Sequence, residues 1–532
     1  MRVSTVLNAA LSSFSSVLRP VWSAACRRCV CNSVCPGVRK LPNCLHPSHG
    51  TAAATVGTAR SSIMHLVSSV FLLLLPHRVA SQPPPPDRSL IWYAPFHSGG
   101  GYSSEATAFV EGLSRTNLTL ASLHHGDAHS LSHVNGRPAA RSALFTRLSS
   151  LAAVAAADSA AVRIIVCHSE PGAWDVSRVL PARYSTENKC PPVAVARDGG
   201  ALVRVGRTMF ESDRLPAGWS ERLNGMDEVW VPTAFAARIF ADGGVDAAKI
   251  HVVPEPVDAL GEFSPAAGDL VKHRVLPPRG PKHVTRFLFV GKFERRKGID
   301  ILLAAYATAF LDAPERAELF VLTAAYHSTA DFDAEIARVW SGLVCKKTEH
   351  AAGAKRQTHS PLCIRPEIAA APPRVRLLSA VSQMDLPGVY ASVDALVQPS
   401  RGEGWGRPHV EAMAMGLPVI ATNWSGPTAF LTQENGYLLP YTHLEPVPDG
   451  AFKGHLMAEP DARALASILR QVADEPVVSK GKGAKARSAM LSKFSLDVVA
   501  SLVTEHVDRI VKEKLGGVQG DGAGEGEGRQ EL

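Results

Sequence analysis

The chain has 532 residues, of which 46% are hydrophobic, and this length predicts two or three domains rather than a small disulfide-stabilised scaffold. Its formal net charge of +7 comes from one end, because residues 1–86 contain eight basic and no acidic side chains. From Asp87 onward, 48 basic residues face 49 acidic ones. This balance excludes a basic body that binds nucleic acid through its phosphates.

Residues 1–86 are predicted to be a targeting or disordered segment. Its apolar run, 63–75, is shorter than the ~20 residues of a membrane-spanning helix and is typical of the hydrophobic region of a signal peptide. If translation starts at Met64, small residues at 79–81 lie where a signal peptidase would cut; the choice between Met1 and Met64 as the start stays open. We therefore expect the secretory pathway, with the run as a cleaved signal or an anchor, and membrane contact only through it. The Ser- and Arg-rich composition before the run leaves organellar import as the alternative.

The cysteines indicate two features. Four of them lie close together at 26–35, but no second Cys/His pair follows at zinc-ribbon spacing, so a processed segment is preferred to a metal cluster. Cys345 and Cys363 lie in an irregular stretch, where a disulfide would close a surface loop if the compartment is oxidising.

From Leu90 onward, short apolar runs alternate with helical patterns, which predicts parallel sheets. Strands are predicted in a first half, 87–270, and again in a second half, 286–514, which includes the C-terminal helix; a linker, 271–285, separates the halves. Residues 515–532 are Gly- and Glu-rich and are predicted to be a disordered tail. The fold class is therefore α/β, with two Rossmann-like parallel sheets facing a central cleft. The predicted strands are 91–94, 162–167, 201–205, 228–231, 250–253, 286–290, 318–323, 375–378, 395–399 and 419–422.

The strongest local signal is the segment 399–418, PSRGEGWGRPHVEAMAMGLP. It places Glu403 in a Gly-rich loop after a strand, and Glu411 eight positions later in a short helix. Gly404 and Gly406 allow backbone N–H groups to approach a ligand closely, and the helix N-terminus favours a phosphate. Two carboxylates beside an anion site indicate a ligand that also carries hydroxyl groups, as a sugar or ribose does.

A second signal is the segment 290–300, VGKFERRKGID, at the start of the second half. A predicted strand ends at Gly291, and four cations between Lys292 and Lys297 crowd the loop before the next helix. Taken alone, this run also fits a solvated loop of charges. Because the paired carboxylates follow about a hundred residues later in the same sheet, a diphosphate site is the preferred interpretation.

These two segments resemble the retaining GT-B glycosyltransferases of the glycosyltransferase group 1, family 4 type. The Glu-x7-Glu signature is Glu403 to Glu411, and GKFERRKG resembles the family's donor-phosphate motif. The resemblance implies a GT-B fold with an N-terminal acceptor domain and a C-terminal donor-nucleotide domain. It also implies transfer of a sugar from a UDP- or GDP-linked donor to a carbohydrate, lipid or protein acceptor, with retention of configuration and without a metal or other cofactor.

The resemblance further implies roles for individual residues. Glu403 would contact the donor sugar at the reacting centre, Glu411 would bind the ribose, and Lys292 and Lys297 would hold the diphosphate. Two further sets of residues are expected at the ligands. The donor set is Gly291, Gly404, Trp405 and Gly406, and the acceptor or phosphate loop is Gly99, Gly100, Gly101 and Tyr102.

The acceptor side is less determined. His168 ends a predicted strand and is a candidate catalytic residue, or else a satisfied polar residue. Many relatives carry a His after the next strand, where this chain has residues 207–213 without one, so Glu211 is a second catalytic candidate. Two alternative functions remain open at this point: a sugar-nucleotide epimerase or hydrolase of the same architecture, and an inactive carbohydrate-binding relative.

Overall fold

The computed structural model describes residues 88–157, 162–176, 181–183, 186–192, 201–279, 284–323, 331–343, 374–378 and 381–518. All of them belong to one compact unit. The predicted targeting segment, Cys345 and Cys363, and the chain beyond Val518 lie outside these residues. Within the described ranges, no helix combines the length and the apolar character needed to cross a bilayer.

The first domain is a six-stranded parallel sheet with the strand order β2-β1-β3-β4-β5-β6. Its central strands are buried on both faces, as expected for runs such as VRIIVCH in β3. The strands are β1 (Arg88–Ala94), β2 (Thr119–His124), β3 (Val162–His168), β4 (Ala201–Arg207), β5 (Glu228–Val231) and β6 (Ile250–Val252). The helices are α1 (Gly101–Leu113), α2 (Leu131–Asn135), α3 (Ala139–Ala157), α4 (Trp219–Asn224) and α5 (Ala234–Asp242). The next helix, α6 (Pro265–Val271), packs against the second domain, where Gly268 lies close to Pro387 and Ala391, so the predicted boundary at residue 270 is too late.

The second domain repeats this architecture, with the strand order β12-β11-β10-β7-β8-β9. Its strands are β7 (Thr285–Val290), β8 (Ala317–Leu322), β9 (Val375–Leu378), β10 (Ala395–Gln398), β11 (Val419–Thr422) and β12 (Tyr437–Leu439). Its helices are α7 (Ile299–Phe310), α8 (Phe332–Leu343), α9 (Leu386–Ala391), α10 (Arg407–Ala414), α11 (Ala462–Asp474) and α12 (Pro476–Ala489). Side-chain caps fix helix starts, and the carboxylate of Asp461, for example, accepts hydrogen bonds from the first amides of α11.

An antiparallel hairpin extends from the second domain towards the first. It consists of β13 (Tyr441–Pro446) and β14 (Leu456–Pro460). The loop between these strands packs Phe452 against Phe210 of the first domain, with the ring centroids 4.9 Å apart. At the start of β14, the backbone of Leu456 exchanges hydrogen bonds with Asp213. The hairpin therefore joins the two domains on one side of the cleft.

The C-terminal helix, α13 (Leu496–Val518), corrects two domain boundaries. The prediction placed it in the second domain, but its apolar stripe, including Val499, Val503 and Val507, packs into the core of the first sheet. The chain crosses back through a π-helical turn at Met490–Phe494, where the amide of Val257 donates to the Phe494 carbonyl. The helix also extends to Val518, four residues into the predicted tail.

Candidate functional site

The carboxylate of Glu403 is the centre of a buried polar cluster after β10. Lys297 Nζ lies 2.8 Å from both carboxylate oxygens, and Ser400 donates its hydroxyl to Oε1 at 2.7 Å. Arg296 Nη1 donates to Oε2 at 3.2 Å and to the Gly402 carbonyl at 2.8 Å. The two predicted segments, about a hundred residues apart in sequence, thus meet at the carboxyl edge of the second sheet.

The charges of this cluster are interdependent. Burial alone would raise the pKa of Glu403, but Lys297 and Arg296 hold it well below its ordinary value. Burial and the neighbouring Arg296 lower the pKa of Lys297, although the carboxylate of Glu403 acts to raise it. The result at neutral pH is an ionised, mostly buried carboxylate that faces two cations whose side chains are 24% and 14% exposed.

Two glycines of the loop bring the domains together. A side chain at Gly402 would place its Cβ 2.5 Å from the Glu211 carbonyl oxygen, and one at Gly404 would lie 2.5 Å from Met209 Sδ. Because these glycines lack a Cβ, the loop that follows β4 can pack closely against them. The sequence analysis predicted only that they would let a ligand approach. Gly406, with φ +115°, supplies the left-handed turn that starts α10.

The second predicted carboxylate, Glu411, lies one turn into α10 and is also buried. Tyr390 donates its hydroxyl to Oε2 at 2.9 Å, and Arg407 Nε lies 3.8 Å from Oε1. Burial raises the pKa of Glu411, so this carboxyl holds its proton to a higher pH than Glu403 does. Arg407 also donates to Ser104 Oγ at 3.2 Å, which places the N-termini of α1 and α10 opposite each other.

The cations of the second segment have different environments. Lys292 is exposed, and burial of part of its side chain lowers its pKa. Arg295 pairs with Glu445 of the hairpin at 2.7 Å. Gly291 ends β7 close to Lys297, as predicted. Arg296, which the sequence analysis counted only among the four cations, makes the widest set of contacts, because its guanidinium also reaches Glu294 and Glu211.

Two predicted site residues, His168 and Trp405, are buried. His168 has no exposed surface, and it lies between Trp92, which donates to Nδ1 at 3.0 Å, and Glu105, 2.9 Å from Nε2. It is therefore a satisfied core residue of the first domain, the alternative that the sequence left open. Trp405 is also buried, with its ring 4.9 Å from Phe430, so its indole packs in the core rather than against a donor.

The other predicted acceptor-side residues lie at the cleft edge of the first sheet. Gly99, with φ +76°, packs against His133 and leads into α1. Gly100 precedes α1, Gly101 begins it, and a Cβ at Gly101 would meet no atom within 4 Å. Tyr102 hydrogen-bonds Thr208 Oγ1 at 2.9 Å, and burial raises the pKa of its phenol.

Glu211, in the loop after β4, lies across the cleft from Glu403. Its carboxylate is 3.3 Å from Arg296 Nε, and Arg296 therefore links it across the cleft to Glu403. His409, which the sequence analysis did not select, is fully buried beside this cluster, and burial lowers the pKa of its imidazole to about 4. Its position in α10, between Glu403 and Glu411 in the sequence, was the signal that could have identified His409 as a site residue.

The second domain matches a known family. Residues 284–449 match the model described as Glycosyl transferases group 1. The D-inositol 3-phosphate glycosyltransferase of Salinispora tropica is 28% identical over 274 residues, which are 50% of this chain and 48% of the relative. That of Streptomyces avermitilis is 30% identical over 259 residues, 48% of this chain and 46% of the relative. The chain thus spans about half the length of the curated relatives it matches.

Solved structures share the architecture of both domains. Anabaena HepE in complex with UDP aligns with a TM-score of 0.52 at 13% identity, over 79% of this chain and 100% of that chain. Sucrose-phosphate synthase from Thermosynechococcus elongatus aligns with a TM-score of 0.52 at 16% identity, over 80% and 100%. The predicted GT-B fold is confirmed, and so is the resemblance to glycosyltransferase group 1, carried by the second domain.

Proposed function

We propose that this protein is a glycosyltransferase that moves a sugar from a nucleotide-sugar donor to an acceptor hydroxyl. The observation that carries the proposal is the buried Glu403 carboxylate, held ionised by Lys297 and Arg296 at the carboxyl edge of a sheet of the glycosyltransferase group 1 type. Ligands of such sheets bind at this edge. An enzyme of this kind must stabilise a departing diphosphate and a positively charged sugar centre.

We propose a contact with one part of the donor for each charged group. Lys297 and Arg296, with Lys292 at the exposed end of the loop, would neutralise the departing diphosphate. Glu403 would face the sugar, whose anomeric carbon becomes positive during transfer. Glu411, oriented by the Tyr390 hydroxyl, would accept hydrogen bonds from the ribose hydroxyls.

The resemblance to family 4 also supports a proposal for the stereochemistry, the donor nucleotide and the metal requirement of the reaction. We propose transfer with retention of configuration, of the family 4 type, from a UDP- or GDP-linked sugar and without a metal at the diphosphate. Support for UDP comes from HepE, which was solved in complex with that nucleotide. For the acceptor, the D-inositol 3-phosphate glycosyltransferases suggest a phosphorylated polyol as the first compound to test beside carbohydrates, lipids and proteins.

We also propose that the protein matures in the secretory pathway. The structure contains a disulfide between Cys167 and Cys190, a pair that the sequence analysis did not select. Disulfides persist in oxidising compartments and are rare in the cytosol. This bond supports the compartment that the 63–75 run suggested; mass spectrometry of the protein purified from its source, with and without reduction, tests it.

The test of the proposed activity is a panel of UDP- and GDP-sugars with and without acceptors, followed by release of nucleoside diphosphate. Glu403→Ala should reduce acceptor-dependent release by at least roughly 100-fold. Glu434→Ala, which changes an exposed glutamate of the same domain, is the matched control. An isomerised donor formed without acceptor would instead favour an epimerase, and nucleotide binding without donor consumption would favour an inactive relative.

A further inference from the structure

Imidazole and carboxylate groups gather at the carboxyl ends of β1 and β2 of the first sheet. The ring of His124, at the end of β2, lies 4.2 Å from that of His129, centroid to centroid. Glu187 approaches from a different part of the chain, with Oε2 2.8 Å from His129 Nε2. One potential ligand atom from each of these three residues lies within 4.8 Å of the other two.

The hydrogen bonds of His124 suit a metal ligand. Nε2 lies 2.9 Å from the Asp127 carbonyl and must donate to it, so Nδ1 carries the lone pair. Metal-bound histidines typically donate their second ring nitrogen to such a carbonyl. Nδ1 now accepts only a long hydrogen bond of 3.3 Å from the amide of His97, which a metal ion would replace.

The segment that carries Glu187 is fixed to the sheet. Asn188 donates its side-chain amide to the His124 carbonyl at 2.8 Å, and its own carbonyl accepts from His125 Nδ1 at 2.7 Å. Two residues later, Cys190 forms the disulfide with Cys167 at the end of β3. These bonds hold the carboxylate beside the two imidazoles, although it comes from a part of the chain about 60 residues away.

We propose that His124, His129 and Glu187 form a binding site for a divalent transition-metal ion, with Zn²⁺ as the preferred ion. Two imidazole nitrogens and one carboxylate oxygen are a ligand set that zinc uses in proteins. The fourth position is left to water, since the side chains of His129 and Glu187 are 48% and 56% exposed. His97 is not counted as a ligand, because its Nδ1 accepts from Arg137 at 3.1 Å. The proposal does not depend on sugar transfer.

The test is titration of Zn²⁺ into the full chain, stripped of metal by a chelator and with its free thiols alkylated, by isothermal calorimetry. We expect one equivalent to bind tightly. His129→Ala and Glu187→Gln should each weaken binding by at least about tenfold, because even indirect partners of a metal contribute that much. His443→Ala is the matched control, since it removes an exposed histidine that bonds only its neighbour Thr442 among the described contacts.

X-ray absorption at the zinc edge provides a readout that is independent of affinity. It should show nitrogen and oxygen ligands at about 2.0–2.2 Å and no sulfur. The proposal is overturned if the two variants bind Zn²⁺ as the wild type does, if sulfur ligands appear, or if no saturable binding occurs. In the last case the His129–Glu187 contact is an ordinary surface ion pair.

Discussion

Replacing Glu403 with glutamine keeps the shape of the side chain and removes its charge. The carboxylate is 7% exposed and lies 2.8 Å from Lys297 Nζ, so the change leaves a buried ammonium without its counter-ion. Removing one partner of a buried ion pair costs roughly 3–5 kcal/mol. We expect the lower end of this range, because the amide oxygen of glutamine can still accept from Ser400 or Lys297.

The loss of folding stability in Glu403→Gln should be larger at neutral pH than in acid. Since the pKa of Glu403 is depressed in the folded protein, against the effect of burial, ionisation of this group stabilises the fold above its ordinary pKa of 4.5. That contribution is lost as the pH falls below 4.5. The free energy of unfolding of Glu403→Gln should therefore lie below that of the wild type by the whole expected amount at pH 6–7. This difference should become smaller below about pH 4.5.

The assay is urea unfolding at several pH values, together with nucleoside diphosphate release by the same preparations. Glu318→Gln is the control, because Glu318 is equally buried and pairs with Arg286 at 3.3 Å, but at the opposite end of the sheet strands. Both variants should lose stability, whereas only Glu403→Gln should lose turnover. The reasoning is refuted if Glu403→Gln is as stable as wild type at pH 7, or if the difference grows in acid.

Three further substitutions test other parts of the site. Tyr390→Phe should weaken nucleotide binding by about fivefold in calorimetry, because Glu411 loses a hydrogen bond worth about 1 kcal/mol. His168→Asn should lower the unfolding free energy by about 2 kcal/mol and leave kcat unchanged, since its ring is buried away from the cleft. Gly402→Ala should lower kcat by about tenfold in the donor assay, because its Cβ would lie 2.5 Å from the Glu211 carbonyl and would separate the domains.

Two of these variants have a control within the chain. Tyr441→Phe removes a hydroxyl from an exposed tyrosine and should leave nucleotide binding unchanged. Gly481→Ala adds a Cβ that meets no atom within 4 Å, so it should retain full kcat. A kcat that falls in His168→Asn without loss of stability would restore a catalytic role for that residue.

Most of the parallel strands were predictable because they are short apolar runs that alternate with helical patterns, but the three-residue edge strand β12, YLL, was not predicted. The edge strand β2, TLASLH, was missed, since its small and polar residues give neither a continuous apolar run nor clear alternation. The apolar stripe of α13 is visible in the sequence, but a stripe does not specify which of two similar sheets it covers. Such long-range choices depend on tertiary contacts that local patterns do not encode.

In the site, too, local sequence patterns predicted some features, whereas others depend on tertiary contacts. The pattern predicted that the two segments lie in one parallel sheet, but it did not predict the contact between Lys297 and Glu403, which arises because β7 and β10 are neighbouring strands. The disulfide partner of Cys167 was not predictable, since pairing depends on distances in the fold rather than on spacing. The role of His168 was left open, because a strand end gives no information on whether its side chain faces the cleft or the core.

The contacts of Arg296 have a consequence for how a donor would bind. Its guanidinium is shared between Glu211 of the first domain and Glu403 of the second, and Lys297 forms an ion pair with Glu403 as well. A diphosphate that reaches these cations must therefore compete with carboxylates already in place. As it displaces Glu403 from Lys297, the support that holds the pKa of Glu403 low is weakened, and the carboxylate becomes free to face the sugar. Under the proposed function, donor binding and the positioning of Glu403 are thus coupled, and both require contact between the two domains.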